Sequence, residues 1–235
     1  MVFGDELIAD WRNKWSEDNH RCKAYGVDGK LYPATDWIKG KEVRVFKMPG
    51  ISDLVVPYVI AGIEDQIKDI GLDFTVNYYG VDPSTVSQVR QATRSDGILD
   101  GARLASILVS EDWRNPLKGG VPHGDFIISD QYLQLGQENW GQSEFIKGYG
   151  IVSLPGSRQK SLNFIRNISK HESGHLFGFQ QHHRIAEGIE GGYTPVSACN
   201  MEWSASTLKT CQKCNDAMKF YWKGIQNRDG LNYFK

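Results

Sequence analysis

No stretch constrains this chain more than His171-Glu-Ser-Gly-His175, and its continuation to His182-His183 constrains it further. Two histidines four residues apart on a helix project from one face, so both imidazoles reach one metal ion. Glu172 stands beside the first of them, where its carboxylate meets a water on that metal. Gly178 permits the positive φ that ends a helix and reverses the chain, and the histidine doublet follows the turn. Residues of these types at this spacing point to a zinc-hydrolase active site, which needs three protein ligands and an open position for water. His171 and His175 supply two ligands, and Glu172 takes the proton of the water and passes it to the leaving amine. A plain surface helix with two histidines would have no use for Gly178 or for the doublet beyond it.

The surrounding pattern is α/β. Val43 to Lys47 alternates and predicts a strand. Ser52 caps a helix whose apolar positions Val56, Ile60, Ile63, Ile67 and Ile70 follow the 3.6 period, with Pro57 near the first turn and Gly71 at its end. Phe74 to Tyr79 predicts a second strand. Asp82-Pro83 opens a helix with Val86, Val89 and Thr93 inward, and Leu104 to Val109 predicts a third strand. That alternation implies crossovers and a mostly parallel sheet. After a long Gly/Pro-bearing loop over 111–125, short strands are expected at Phe126 to Ser129 and Tyr149 to Leu154. Ser157 is placed to cap the long helix carrying Leu162, Ile165, Ile168, His171 and His175 along its buried side. Beyond Gly178 the chain reads as irregular to about Lys209, and Cys214 to Ile225 as helical. Residues 1–41, rich in aromatics and without periodicity, read as an N-terminal extension of unknown role.

Four cysteines occur: Cys22, Cys199, Cys211 and Cys214. Cys211-Gln-Lys-Cys214 lies near the C-terminus, away from any βαβ unit, so metal is a better reading of this C-x-x-C than redox chemistry. The alternative is three ordinary buried cysteines.

The longer pattern resembles the metzincin metallopeptidases, in which H-E-x-x-H is followed by a glycine, a third histidine and a methionine turn beneath the zinc. Within that clan it is most similar to the archaemetzincins, which carry a cysteine after the third histidine, then C-x-M, then C-x-x-C. Cys199-Asn200-Met201 matches the C-x-M and Cys211 to Cys214 the C-x-x-C. In this chain Gln181 stands where the family has its third histidine, His182 comes one residue later, and His183 replaces the cysteine. The interval from Met201 to Cys211 is also shorter.

The resemblance, with a one-residue insertion after Gly178, implies a catalytic zinc on His171, His175 and His182, and Met201 as the turn beneath it. Neighbouring side chains on an extended segment point to opposite sides, which leaves His183 for a structural zinc with Cys199, Cys211 and Cys214. A rival set puts Cys22 in place of His183. The implied fold is a metzincin-like twisted, mostly parallel sheet with an antiparallel edge strand, an active-site helix, and a smaller irregular C-terminal lobe holding the structural zinc. The implied catalytic domain spans 42–235, with an upper lobe to 178 and a lower lobe from 179.

The implied activity is that of a zinc metallopeptidase, endopeptidase or aminopeptidase, with two Zn2+ per chain and a peptide or protein substrate. The alternatives are a zinc protein that binds peptides but cleaves weakly or not at all, and a structural zinc adaptor, in which Glu172 would have no purpose. Phe126 to Ser129 is the expected edge strand for peptide addition, against the alternative of a strand that closes the sheet. His123 and Tyr193 are loop candidates for assisting the reaction, against a default of plain surface residues, and Cys22 is a candidate thiol cap on the zinc, against a default of a free cysteine.

A formal net charge of −1 without charged runs argues against a nucleic-acid surface, and no apolar run approaches a membrane span of about 20 residues. The first residues, Met-Val-Phe-Gly-Asp-Glu, show no basic-then-apolar order. A monomer in the cytoplasm is the expectation.

Overall fold

The computed structural model describes residues 33–108, 120–134, 140–156, 160–179, 199–201 and 207–235. A 3-10 turn over Pro33–Gly40 leads into β1 (Glu42–Lys47). Ser52 accepts from the Leu54 N–H and caps a 3-10 turn, Asp53–Val55, that runs on into α1 (Val56–Ile70). Gly71, at φ 84°, closes that helix by donating to Ile67 and Lys68. There follow β2 (Thr75–Gly80) and α2 (Pro83–Ala92), the latter capped by the Asp82 carboxylate on the Thr85 N–H. Then come β3 (Ile98–Leu99), α3 (Gly101–Leu108), β4 (Gly124–Ser129) and β5 (Tyr132–Leu133). The remaining elements are β6 (Gly141–Glu144), β7 (Tyr149–Ser153), α4 (Leu162–Leu176) and α5 (Gln212–Asp229).

Five strands form one sheet in the order β2-β1-β4-β7-β6. All neighbours run parallel except β6, which pairs antiparallel with β7, Gly141 opposite Val152 and Glu144 opposite Tyr149. β3 and β5 make a separate parallel pair. α1 and α4 pack closely because Gly62 has no side chain: a Cβ there would sit 2.5 Å from the Arg166 carbonyl oxygen. Arg166 bonds both oxygens of Asp65 across this contact, at 2.7 and 3.0 Å.

Three expectations are corrected. The strand expected over Leu104 to Val109 is helical over its described residues: Leu104, Ala105 and Leu108, with Gly101, are the buried positions of α3, whose Arg103 N–H is capped by Asp100, and Val109 lies outside the described residues. A run this short, apolar except at Ser106, does not distinguish the two periods, and Asp100 is the deciding signal. Phe126 to Ser129 is not the edge. Every residue of β4 is buried between β1 and β7, with Phe126, Ile127 and Ile128 apolar on both faces as an inner strand of a parallel sheet requires, and β6 takes the edge. The cap of α4 is Ser161, whose Oγ accepts from the Phe164 N–H.

The core also reaches upstream of residue 42. Trp37 and Ile38 are fully buried, and Trp37 Nε1 donates to the Phe145 carbonyl at 2.8 Å. Its ring meets Phe74, Phe145 and Phe177 in a cluster that Trp222 completes. Among the described residues, no helix is long and apolar enough to cross a membrane.

Candidate metal centre

Residues Ile168 to Gly174 of α4 are all buried, so the H-E-x-x-H segment lies inside the molecule. Each histidine is held by a backbone carbonyl: His171 Nδ1 is 2.7 Å from the Asn200 oxygen and His175 Nδ1 is 2.6 Å from that of Phe179. A carbonyl only accepts, so Nδ1 carries the proton in both rings and the Nε2 lone pairs are left to face each other. They lie 3.1 Å apart, with the rings at 82°. Two lone pairs at that distance repel unless a proton or a metal ion lies between them. Nitrogens about 2.0–2.1 Å from a tetrahedral zinc are about 3.3 Å apart, so the pair fits such an ion. A backbone carbonyl on the second ring nitrogen is the usual way a metal-binding histidine is oriented.

Glu172 is buried beside the pair, and its Oε2 accepts from Ser143 Oγ at 3.0 Å. Burial pushes its pKa up to about 8, against the lowering effect of the Ser143 bond; a cation nearby would favour the carboxylate. Gly141 makes this position available, because a Cβ there would overlap Glu172 at Cγ, Cδ and Oε1. β6 thus contributes twice to the carboxylate, through Gly141 and Ser143. On the neighbouring turn of α4, a Cβ on Gly174 would overlap the Met201 sulfur, so Met201 packs directly against the helix between the two histidines. The helix ends at Phe177 and Gly178, whose φ is 116°. Trp222 Nε1 holds the Phe177 carbonyl at 3.0 Å and the Tyr221 ring fills the space over Gly178. A cavity of about 90 Å³ opens beside His175, bounded by Ser143, Glu144, Phe145, Ile146 and Phe179.

Cys199, Cys211 and Cys214 are buried and form no disulfide, with their sulfurs all within 4.8 Å of one another. Cys199 and Cys214 sulfurs are 3.7 Å apart, too far for a disulfide but close to the roughly 3.8 Å between two sulfurs on a tetrahedral zinc. Two backbone N–H groups already point at these sulfurs, Cys211 to Cys199 and Cys214 to Cys211. Cys211 is also the N-cap of α5, where the helix dipole favours a thiolate. The Cys214 thiol is pushed up by Cys199 and Cys211 and then by burial, and Cys199 is pushed up first by Cys211. Three thiols so placed ionise together only with a cation among them, and these donors suit a soft or borderline divalent ion.

His182, His183, Gln181, Cys22 and Tyr193 lie outside the described residues. His123 is no surface residue: it is buried at the entry to β4, Nδ1 at the Val121 carbonyl and Nε2 3.3 Å from Asp125. The motif does not reveal Gly141, Ser143, Gly174 or Asn200. Only Asn200 had a signal, a polar residue between the cysteine and methionine of the C-x-M.

No protein-family model matches this sequence, and no curated protein matches it. Solved structures do. A crystal structure of archaemetzincin from Methanopyrus kandleri superposes with a TM-score of 0.55 at 16% identity, over 77% of this chain and 95% of that one. A zinc-dependent peptidase from Methanocorpusculum labreanum superposes with a TM-score of 0.50 at 15% identity, over 75% and 99%. The mixed α/β chain with its parallel sheet and antiparallel edge strand therefore has the fold of the archaemetzincin structure.

Proposed function

We propose that this chain is a zinc-dependent metallopeptidase of archaemetzincin type. The observation that carries the reading is the inward-facing Nε2 pair of His171 and His175, 3.1 Å apart, with the buried Glu172 carboxylate held next to it by Ser143. A structural adaptor would have no reason to bury an acid beside two aimed imidazoles. The third ligand is His182, delivered by the turn at Gly178. Cys199, Cys211, Cys214 and His183 form a second, closed site, and Met201 is the methionine turn. The upper lobe ends at Gly178 and the lower one follows it.

Zinc, when bound, supplies a Lewis acid that polarises a carbonyl and makes water a nucleophile near neutral pH. The chain's own groups do the rest. The Asn200 and Phe179 carbonyls keep both Nδ1 protons in place and so keep both Nε2 atoms aimed inward. Glu172 takes a proton on its carboxylate and releases it to the amine nitrogen of the departing fragment. Its burial raises its proton affinity toward neutrality, where such a shuttle works best. The Ser143 hydroxyl fixes Oε2 so that the carboxylate does not rotate away. An extended peptide adds along β6, the antiparallel edge beside Glu172.

The test is direct. Purified protein should carry two zinc ions, one removed readily by a chelator and one only on unfolding. Glu172→Gln should keep both and lose cleavage of a mixed peptide library. Wild-type protein with intact zinc and no cleavage would favour a peptide-binding protein. His182→Ala should lose the labile zinc and His183→Ala should melt earlier; the first effect appearing in Gln181→Ala instead would overturn the register.

A further inference from the structure

Asn200 sits between a cysteine of the thiol cluster and the methionine packed under α4, and it is fully buried. Its carbonyl accepts from His171 Nδ1. Its side-chain Nδ2 donates to two carbonyls, Asn167 at 3.0 Å and Thr207 at 2.7 Å. Asn167 is one helical turn before His171, so the amide grips α4 directly under that histidine. Its backbone N–H donates to Lys209 at 2.7 Å. Lys170, the residue before His171, is buried and reaches the carbonyl in between: Nζ lies 2.5 Å from the Leu208 oxygen and 2.5 Å from Asp69 of α1. Three successive carbonyls, of Thr207, Leu208 and Lys209, are therefore held by Asn200 and Lys170. The segment they belong to continues into Cys211, whose N–H points at the Cys199 sulfur.

We propose that Asn200 and Lys170 are positioning residues that carry the occupancy of the cysteine cluster to His171, so that a metal on the thiols tightens metal binding at the histidine pair. The proposal rests on the two-site reading above. A metal on the cluster cross-links the 199–201 segment to the 207–214 segment, and that fixes the peptide whose oxygen aims His171. Any residue at position 200 has the carbonyl, but only a side chain with two suitably placed donors holds it to both α4 and the 207–209 segment. Coupling of this kind is reciprocal, so metal at the histidines equally favours metal at the thiols. Orienting partners of metal-binding histidines are worth about tenfold to a hundredfold in affinity.

The experiment uses the full chain loaded with Co(II), whose sulfur-to-metal charge-transfer band reports the thiol cluster alone, titrated with a competing chelator that removes the labile ion. Asn200→Leu should weaken the labile ion about tenfold or more with the sulfur band intact, and Lys170→Met should act in the same direction. Cys214→Ser should weaken the labile ion in the wild-type background but add little on top of Asn200→Leu. Where peptide cleavage is measured, Asn200→Leu should lower kcat at saturating metal and leave KM unchanged. Labile-ion affinities within about threefold of wild type in Asn200→Leu and Lys170→Met, with the sulfur band kept, would overturn the proposal. Loss of the sulfur band in Asn200→Leu with Lys170→Met unaltered would overturn it too, since Asn200 would then only prop the cluster. A wild-type chain holding metal through its thiols alone would sink the functional reading first, which distinguishes the two failures.

Discussion

Replacing Gly141 with alanine adds one methyl group to the edge strand and places it on the Cγ, Cδ and Oε1 of Glu172. Carbon atoms rest about 3.5–4.0 Å apart, so the carboxylate has to retreat by more than about 1 Å. A misplacement of that size costs about a hundredfold in rate, and complete loss of a general base costs about 10²–10⁴-fold. Gly141→Ala should therefore lower kcat/KM by about two to four decades, or roughly 3–5 kcal/mol of transition-state stabilisation. The fold should survive. Alanine is favoured over glycine in a strand by about 0.5–1 kcal/mol, which offsets the roughly 0.5–1.5 kcal/mol of an off-rotamer Glu172. The assay is hydrolysis of a quenched peptide pool, alongside metal content and a thermal melt. Gly156→Ala is the control, since nothing lies within 4 Å of a Cβ there. Adding Glu172→Gln to Gly141→Ala should cost little more than Glu172→Gln alone, because both act on one group. Wild-type turnover in Gly141→Ala, or a double variant far worse than Glu172→Gln, would refute the reasoning.

Other outcomes follow from the same contacts. Gly62→Ala places a methyl against backbone atoms of Arg166 and Lys170; overpacking of about 1–3 kcal/mol should outweigh the roughly 1 kcal/mol gained in helix propensity, seen as a lower urea midpoint. Gln66 is fully buried and, among the described residues, neither amide atom has a hydrogen-bond partner, so Gln66→Met should stabilise the chain by about 1–3 kcal/mol; a lower melting temperature would show that the amide has a use. Cys214→Ser should melt earlier than wild type in zinc, and the gap should close once a strong chelator has stripped both. For Glu42, burial raises the pKa, but bonds from Asn77, Arg44 and Tyr79 together lower it below 4.5. Its stabilisation is therefore present above the unfolded value and lost as pH falls through the folded one. The stability gap between wild type and Glu42→Gln should accordingly shrink below about pH 4.5.

The parts of the fold legible in sequence are those with local causes. Asp82-Pro83, Ser52 and Gly71 mark helix ends through contacts within a few residues, and the structure has a cap or stop at each. Leu104 to Leu108 misled because so short a run, apolar except at Ser106, satisfies both periods, and β4 because burial on both faces erases the alternation that marks an edge. At the site, the spacing of His171 and His175 carries its own geometry. Gly141, Ser143 and Asn200 do not, since each meets its partner across 29 to 31 positions of chain and only the folded sheet and the 199–201 segment bring them in. The cysteines lay between these cases: C-x-x-C named two partners, and C-x-M supplied the third.

α5 carries the thiols Cys211 and Cys214 at its start and, two turns on, the rings of Tyr221 and Trp222 that close over the exit of α4. Its first eleven residues therefore work as a ruler with a fixed phase. One residue inserted between Cys214 and Tyr221 would rotate both rings by about 100° around the helix axis, swinging them off the Phe177–Gly178 bend while the sulfurs stayed put. Length changes should be rejected before Tyr221 and again between Ile225 and Tyr233, whose fully buried ring packs on Phe74 and Trp222, so a scan of single insertions along this one rod would trace where the chain measures distance.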